Sequence, residues 1–291
     1  MPDTQYFTNI DGKYVKDAEA RQQLNDLEDY VESLDQPWQP LEDGYSNFWF
    51  ELTNDTLSPW LNFSAKTNDA VIDWGDGSGE VTLDTLTPTH TYSKAGKYVV
   101  KVKGVTSIGA QHNIPYQGKY LNVLKYFELS SEVTSISSNA FDCCVGLLNF
   151  SSVPSLSSRI FRYCASLQNA KIPVGIQLIN TFSYGYCYSL QSAIIPTSVS
   201  SIESYAFIYC IALNEIHILS NTPPSMGTSV FSNLPANFII YVPVGYGDTY
   251  KAASGWSTYA DHILEEGQTP NRMMLAKFNS AKTDEPQDDM R

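Results

Sequence analysis

Phe141-x-x-Cys144-x-x-Leu147, Phe161-x-x-Cys164-x-x-Leu167, Tyr184-x-x-Cys187-x-x-Leu190 and Phe207-x-x-Cys210-x-x-Leu213 align without gaps. The cysteines recur at intervals of 20, 23 and 23 residues. Five positions before each aromatic sits an aliphatic: Ile136, Leu156, Ile179, Ile202. Five positions after each of the last three leucines sits an isoleucine: Ile172, Ile195, Ile218. A degenerate fifth copy keeps Phe231, Ile240 and Val242-Pro243 but carries Leu234 in place of the cysteine. One such unit cannot bury its own apolar face. Stacked units share a continuous core, and in-phase apolar positions become ladders along the stack. The spacing predicts a repeat solenoid over 133–243.

A period of about 20–29 residues is the signature of leucine-rich repeats. The segments resemble the BspA-like leucine-rich repeats of bacterial and some phage and protist surface proteins, through Ala140-Phe141, Ala206-Phe207 and the trailing Ile172-Pro173 and Ile195-Pro196. The ending Tyr241-Val242-Pro243-Val244-Gly245-Tyr246-Gly247-Asp248-Thr249-Tyr250, continuing to Trp256, resembles the terminal cap of that family. We assign the cap to 244–266. The resemblance implies adhesion and brings no catalytic residues.

Four of the five cysteines share one repeat phase; Cys143 is the extra. Metal or redox chemistry would need thiols at short spacing, and pairs of the Cys-x-x-Cys type are absent. A ladder of small buried thiols fits the spacing.

The residues just before the repeat cysteines are Cys143, Tyr163, Tyr186 and Tyr209, so three tyrosines stack in phase. Phe182 and Tyr205 share a second phase, beside Tyr188 at a turn. These six rings are the candidate ligand-binding residues. Two arrangements stay open. The rings pack between turns, or they are exposed and recognise a glycan, a surface polymer or a protein, for which aromatic and hydroxyl groups are suited.

Upstream, 45–104 alternates in Phe48-Trp49-Phe50-Glu51-Leu52, Val71-Ile72-Asp73-Trp74 and Tyr98-Val99-Val100-Lys101-Val102, the pattern of half-buried strands. Asp73-Trp74-Gly75-Asp76-Gly77 and His90-Thr91-Tyr92-Ser93-Lys94-Ala95-Gly96-Lys97-Tyr98 resemble the PKD-type immunoglobulin-like domain. That resemblance implies a β-sandwich with the tryptophan inside and the tyrosine at a corner, acting as a spacer or binding module. Asp73 to Glu80 does not place acids at alternate positions, so it fails as a calcium loop. Residues 105–132 connect, with Val123–Leu129 as a first, atypical turn over the stack's apolar end.

Near the N-terminus, Ala20, Leu24, Leu27, Val31 and Leu34 step by 4, 3, 4 and 3, a heptad seam. It makes either a short trimeric coiled coil or an amphipathic helix packed on its own domain. Tyr14-Val15-Lys16-Asp17-Ala18-Glu19-Ala20-Arg21 resembles the N-termini of bacteriophage fibre and tail proteins, which implies that 1–36 attaches to other virion proteins and trimerises. Gln36-Pro37-Trp38-Gln39-Pro40 opens an extended linker, 37–44. Residues 267–291 form a polar tail with four acids and four bases.

Bulk chemistry narrows the partners. The chain has 291 residues and a net charge of −13, and 1–104 alone holds 18 acids against 8 bases. Nucleic acid requires a basic stripe. No stretch of about 18 apolar residues exists, so no span enters a membrane. Met1-Pro2-Asp3-Thr4-Gln5 lacks the basic and apolar run of a secretory signal. Catalytic motifs, a metal set and a cofactor site are not visible, and no carboxylate pair shares a repeat phase, as a glycosidase would need.

The expectation is therefore mainly β: a short N-terminal coiled-coil helix, an immunoglobulin-like sandwich, then a leucine-rich solenoid. Functionally it is a head or tail fibre or decoration protein of a phage virion, displaying an adhesive domain to the host. The alternative is a bacterial BspA-like surface adhesin, with a carbohydrate-active enzyme third.

Overall fold

The computed structural model describes residues 44–53, 58–59, 61–109 and 123–269. The coiled-coil seam, most of the linker and most of the polar tail lie outside the described residues.

Five strands of the upstream region form one sheet. They are β1 (Tyr45–Leu52), β2 (Phe63–Asp73), β3 (Glu80–Thr82), β4 (Gly96–Ile108) and β5 (Leu124–Glu128), in the order β3-β2-β4-β1-β5. A sixth short strand, β6 (Ser135–Ile136), pairs in parallel with the end of β4. This corrects two expectations. Among the described residues the strands make one sheet, not the two packed sheets of a sandwich. The boundary at 104 also falls inside β4, and the connector supplies β5.

The reason lies in the apolar pattern. Phe48, Phe50, Leu52, Ile72, Val100 and Val102 line one buried face. In a sandwich that face would need a second sheet. Here its core continues into the repeats instead. Phe127 of β5 pairs with Phe48 and stacks on Phe141 at 4.1 Å and Phe150 at 5.4 Å. The carbonyls of Lys125 and Phe127 accept from the N–H of Leu148 and Ser151, so β5 acts as a rung under the stack.

Within the sheet the Trp-Gly-Asp-Gly stretch builds a local knot. His90 stacks on Trp74 at 4.8 Å and meets the edge of Tyr92 at 4.6 Å. The Tyr92 hydroxyl donates to the Trp74 carbonyl at 2.6 Å. Asp73 and Asp76 accept from the N–H of Gly75 and Ser78, so these carboxylates close turns.

The later solenoid turns, from 169 on, have two short strands and one tightly turned face; the stretch 137–168 has no strand. Of the aliphatics that precede the aromatics, Ile136, Ile179 and Ile202 lie on β6, β8 (Leu178–Ile179) and β10 (Ser201–Ile202), Leu156 lies on no strand, and β12 (Ser225–Met226) extends the β8-β10 row. The residues that follow the leucines lie on β7 (Asn169–Ala170), β9 (Ser192–Ile195), β11 (Glu215–Ile218) and β13 (Ile239–Val242), a parallel sheet. Inside, Phe141, Phe161, Tyr184, Phe207 and Phe231 stack at 5.8, 5.5, 5.4 and 5.8 Å. The repeat cysteines Cys144, Cys164, Cys187 and Cys210 are buried and unbridged.

The C-terminal end is closed by α1 (Gly247–Ala252), a 3-10 turn (Ser257–His262) and β14 (Ile263–Glu265), which extends the parallel sheet beyond β13. Trp256 is fully buried, and its indole N–H donates to the Pro224 carbonyl at 2.7 Å. Tyr250 donates to the Ser220 carbonyl at 2.7 Å. Both side chains bring an apolar body and place their one polar group on a carbonyl of the last turn, as buried Tyr and Trp require.

Candidate functional site: an aromatic ladder in left-handed backbone

The third face of each turn is laced to the next by its backbone. The N–H groups of Arg159, Phe161 and Tyr163 donate to the carbonyls of Thr181, Ser183 and Gly185. Phe182, Tyr184 and Tyr186 do the same to Ser204, Ala206 and Ile208. In each trio the middle residue points into the core and the outer two adopt positive φ. The first such column is Asn139, Arg159, Phe182, Tyr205 and Ser229, with φ of 53–64°. The second is Cys143, Tyr163, Tyr186, Tyr209 and Asn233, with φ of 57–63°.

Left-handed backbone suits glycine and asparagine; a bulkier residue there costs about 1 kcal/mol or more. Asn139 and Asn233 fit that preference. The five aromatics, all among the sequence candidates, do not, and they occupy consecutive turns. Tyr163 and Tyr186 stack at 4.4 Å and 20°, Tyr186 and Tyr209 at 5.1 Å and 9°. Phe182 and Tyr205 stack at 4.9 Å and 17°. Phe182 also lies 6.4 Å from Tyr186, joining the two columns. Gly185 makes room for this: a Cβ there would come within 3.0 Å of the Phe182 ring.

The structure therefore brings five candidates into two parallel stacks and sets Tyr188 against them, at 6.4 Å and 86° to Tyr186. Packing between turns and exposure are both present in the ladder. Tyr186 carries a stacked ring on each face, and Tyr163, Phe182 and Tyr205 each stack on one neighbouring ring; all four are half-buried. Tyr188 and Tyr209 are 41% and 39% exposed.

Sequence inspection missed three neighbours. Ile211 is 58% exposed and follows its repeat cysteine as Tyr188 follows its own. Arg162 lies 5.3 Å over the Tyr163 ring and makes a forked pair with Asp142 at 3.0 and 2.6 Å. Arg159 lies 5.7 Å from the Phe182 ring. The phase of Ile211 was readable; the guanidinium positions depend on rotamers that no repeat pattern encodes.

A second polar group lies on the parallel sheet. His217 contacts Glu266 at 2.8 Å and Glu215 at 3.7 Å, and stacks on Tyr241 at 4.9 Å. Burial alone would lower its pKa, but the two carboxylates outweigh it and raise it. Glu266 comes from the cap, so this carboxylate pair has no common repeat phase. Both acids point to one imidazole and are more than 40% exposed, unlike a glycosidase pair facing a sugar. Among the described residues, no group of three or more His, Cys, Asp or Glu is placed to hold a metal ion. No described helix is long and apolar enough to cross a membrane.

Fold and ladder together define a leucine-rich-repeat solenoid that displays an aromatic face. Residues 114–237 match the BspA-type leucine-rich repeat region, in six copies. No curated protein matches the chain. Among solved structures, it is similar to a leucine-rich cell surface protein from Faecalibacterium prausnitzii A2-165, at 23% identity over 72% of this chain and 55% of that one, with a TM-score of 0.38. The chain thus spans about half the length of that protein. A leucine-rich repeat protein from Bacteroides ovatus ATCC 8483 is similar at 15% identity, over 62% of this chain and 71% of that one, with a TM-score of 0.24.

Proposed function

We propose that this chain is a cell-surface adhesin of the BspA-like type, whose solenoid binds an external partner without catalysis. The observation that carries the reading is the run of five aromatics in left-handed backbone on a BspA-type repeat region. The fold itself tolerates asparagine at the same positions in flanking turns, so rings there serve something besides the backbone. A repeat face also extends with each turn, which suits contact with large surfaces. The test is adherence of protein-coated beads to intact bacterial and epithelial cells. The double variant Tyr186→Ala/Tyr209→Ala should lower adherence about thirtyfold, the scale of one lost hot spot of about 2 kcal/mol. Equal adherence by wild-type and variant beads would remove the ladder from the function.

The virion reading rests on the phrase Tyr14–Arg21 and the seam Ala20, Leu24, Leu27, Val31 and Leu34, outside the described residues. It makes the chain a trimer attached through 1–36. Light scattering on the whole chain and on residues 43–291 decides it. A trimer that becomes monomeric on truncation supports a fibre subunit; monomers in both cases dismiss it.

A further inference from the structure

The tyrosine ladder leaves ring surfaces open at its C-terminal end. Tyr186 is covered on one face by Tyr163 and on the other by Tyr209. Tyr188 stands across it, with ring centroids 6.4 Å apart and planes at 86°. Tyr188 is 41% exposed and Tyr209 39%. Tyr209 stacks on Tyr186 with one face, and the next rung beyond its other face is Asn233, an amide. Ile211 stands in the Tyr188 column one turn on, beside Tyr209.

This corner is uncharged. The column before the repeat cysteines reads Cys143, Tyr163, Tyr186, Tyr209, Asn233, and the column after them Val145, Ala165, Tyr188, Ile211, Pro235. The two cations of the ladder sit one turn toward the N-terminus: Arg162, over Tyr163, is held in a forked pair by Asp142, and Arg159 lies 5.7 Å from the Phe182 ring.

We propose that Tyr186, Tyr188, Tyr209 and Ile211 form a binding site for a neutral glycan. The proposal rests on the ladder being the adhesive face and specifies what it holds. A pyranose ring has C–H faces that pack on aromatic faces and hydroxyls around its rim. The exposed parts of the Tyr188 and Tyr209 rings and the Ile211 side chain supply the apolar contact. Phenol hydroxyls both donate and accept, so the row of phenol edges can match sugar hydroxyls in either sense. An anionic polymer would need cations, and these columns supply none. A standard protein interface covers roughly 800 Å² on each partner. The open apolar groups here amount to three side chains, the scale of one or two sugar rings.

The test is native affinity electrophoresis of the whole chain in gels containing a soluble polysaccharide. The neutral probes are galactomannan, xyloglucan, mixed-linkage β-glucan, yeast mannan and dextran; the anionic probes are heparin and polygalacturonate. At least one neutral polymer should retard the protein, and the retardation should persist in about 1 M salt, where charges are screened beyond roughly 3 Å. Tyr188→Ala and Tyr209→Asn should each abolish it while keeping the wild-type circular dichroism spectrum. Tyr209→Asn is chosen because asparagine already occupies the same left-handed position at 233. Val174→Ser, on an exposed turn away from the ladder, should leave retardation unchanged. Retardation by anionic polymers alone, by no neutral polymer, or equally in both tyrosine variants would overturn the proposal. Ladder-dependent cell adherence without retardation would sink the glycan and keep the adhesin, pointing to a protein partner. Retardation without cell adherence would do the reverse.

Discussion

The thiol of Cys187 donates to the carbonyl oxygen of Phe161, 3.2 Å away in the preceding turn. Cys164 repeats the contact to Phe141 at 3.2 Å, and Cys210 to Tyr184 at 3.1 Å. The cysteine at this phase is thus a small apolar filler with one weak donor, aimed at a carbonyl that closes a turn. Burial pushes Cys210 up to about 12 and holds Cys164 and Cys187 well above the ordinary thiol range.

Thiol chemistry follows from this. The thiolate is the reactive form, so buried thiols of raised pKa are inert. Native protein at pH 8 should react slowly with iodoacetamide, and Cys143, the half-buried one, should label first. Its own pKa is about 11, raised by burial and by Asp142. In denaturant all five cysteines should label. Mass spectrometry counts the adducts, and rapid labelling of several native thiols would contradict the buried ladder.

Two tyrosines two residues apart should behave oppositely. Tyr184 has no exposure and donates to the Lys171 carbonyl at 2.9 Å. Tyr184→Ala should cost about 3–5 kcal/mol, as for other buried aromatics. Tyr186→Asn loses ring stacking worth about 0.5–1.5 kcal/mol per pair and relieves about 1 kcal/mol of left-handed strain. With two stacked partners the net loss is about 0–2 kcal/mol, so its urea midpoint should shift clearly less than that of Tyr184→Ala. Comparable losses in the two variants would mean that the outer ladder is chiefly structural.

The cap should be equally sensitive at Trp256. Truncation to alanine removes a fully buried indole and leaves the Pro224 carbonyl without its donor. Chemical denaturation should show a loss of about 3–5 kcal/mol. A loss below about 1 kcal/mol, the range of exposed sites, would show that the solenoid does not need this closure.

His217 makes the C-terminal strand pH-dependent. Its folded pKa is raised above the ordinary value of about 6.5. A raised histidine contributes stability fully below its unfolded pKa, and the contribution is lost as pH rises through the folded value. Glu266 links His217 to the segment just after β14, so that segment should loosen first. Amide protection factors of Ile263–Glu266, corrected for the intrinsic base-catalysed rate and compared with a core strand without His217 such as β9, should fall between pH 6 and 8. His217→Gln should flatten this trend. Lower protection at the acidic end would reverse the sign and refute the assignment.

The repeats were legible because each turn buries the same shapes at the same phase. Phe161, Cys164 and Leu167 must fill the space that Tyr184, Cys187 and Leu190 fill one turn later. Trp256 and Tyr250 stood out for a similar reason: both are large, and only an interior uses them well. The single sheet was not legible. Nothing local in Leu124–Glu128 says that it pairs with Tyr45–Leu52, because that pairing closes a loop of about 75 residues. Strand patterns state which face is buried and leave the partner unspecified.

The same division runs through the site. The phase of the tyrosines follows from a period of 20–23 residues, and with it their stacking column. The tertiary structure alone decided which surfaces of the rings remain free. Stacking consumes the faces of Tyr186, Tyr209 at the end of the column is 39% exposed, and Tyr188 stands across them. Sequence determines the repeat and the chemistry carried on it. Which parts of that chemistry meet solvent depends on left-handed backbone and neighbouring turns, and these exist only once the turns are stacked.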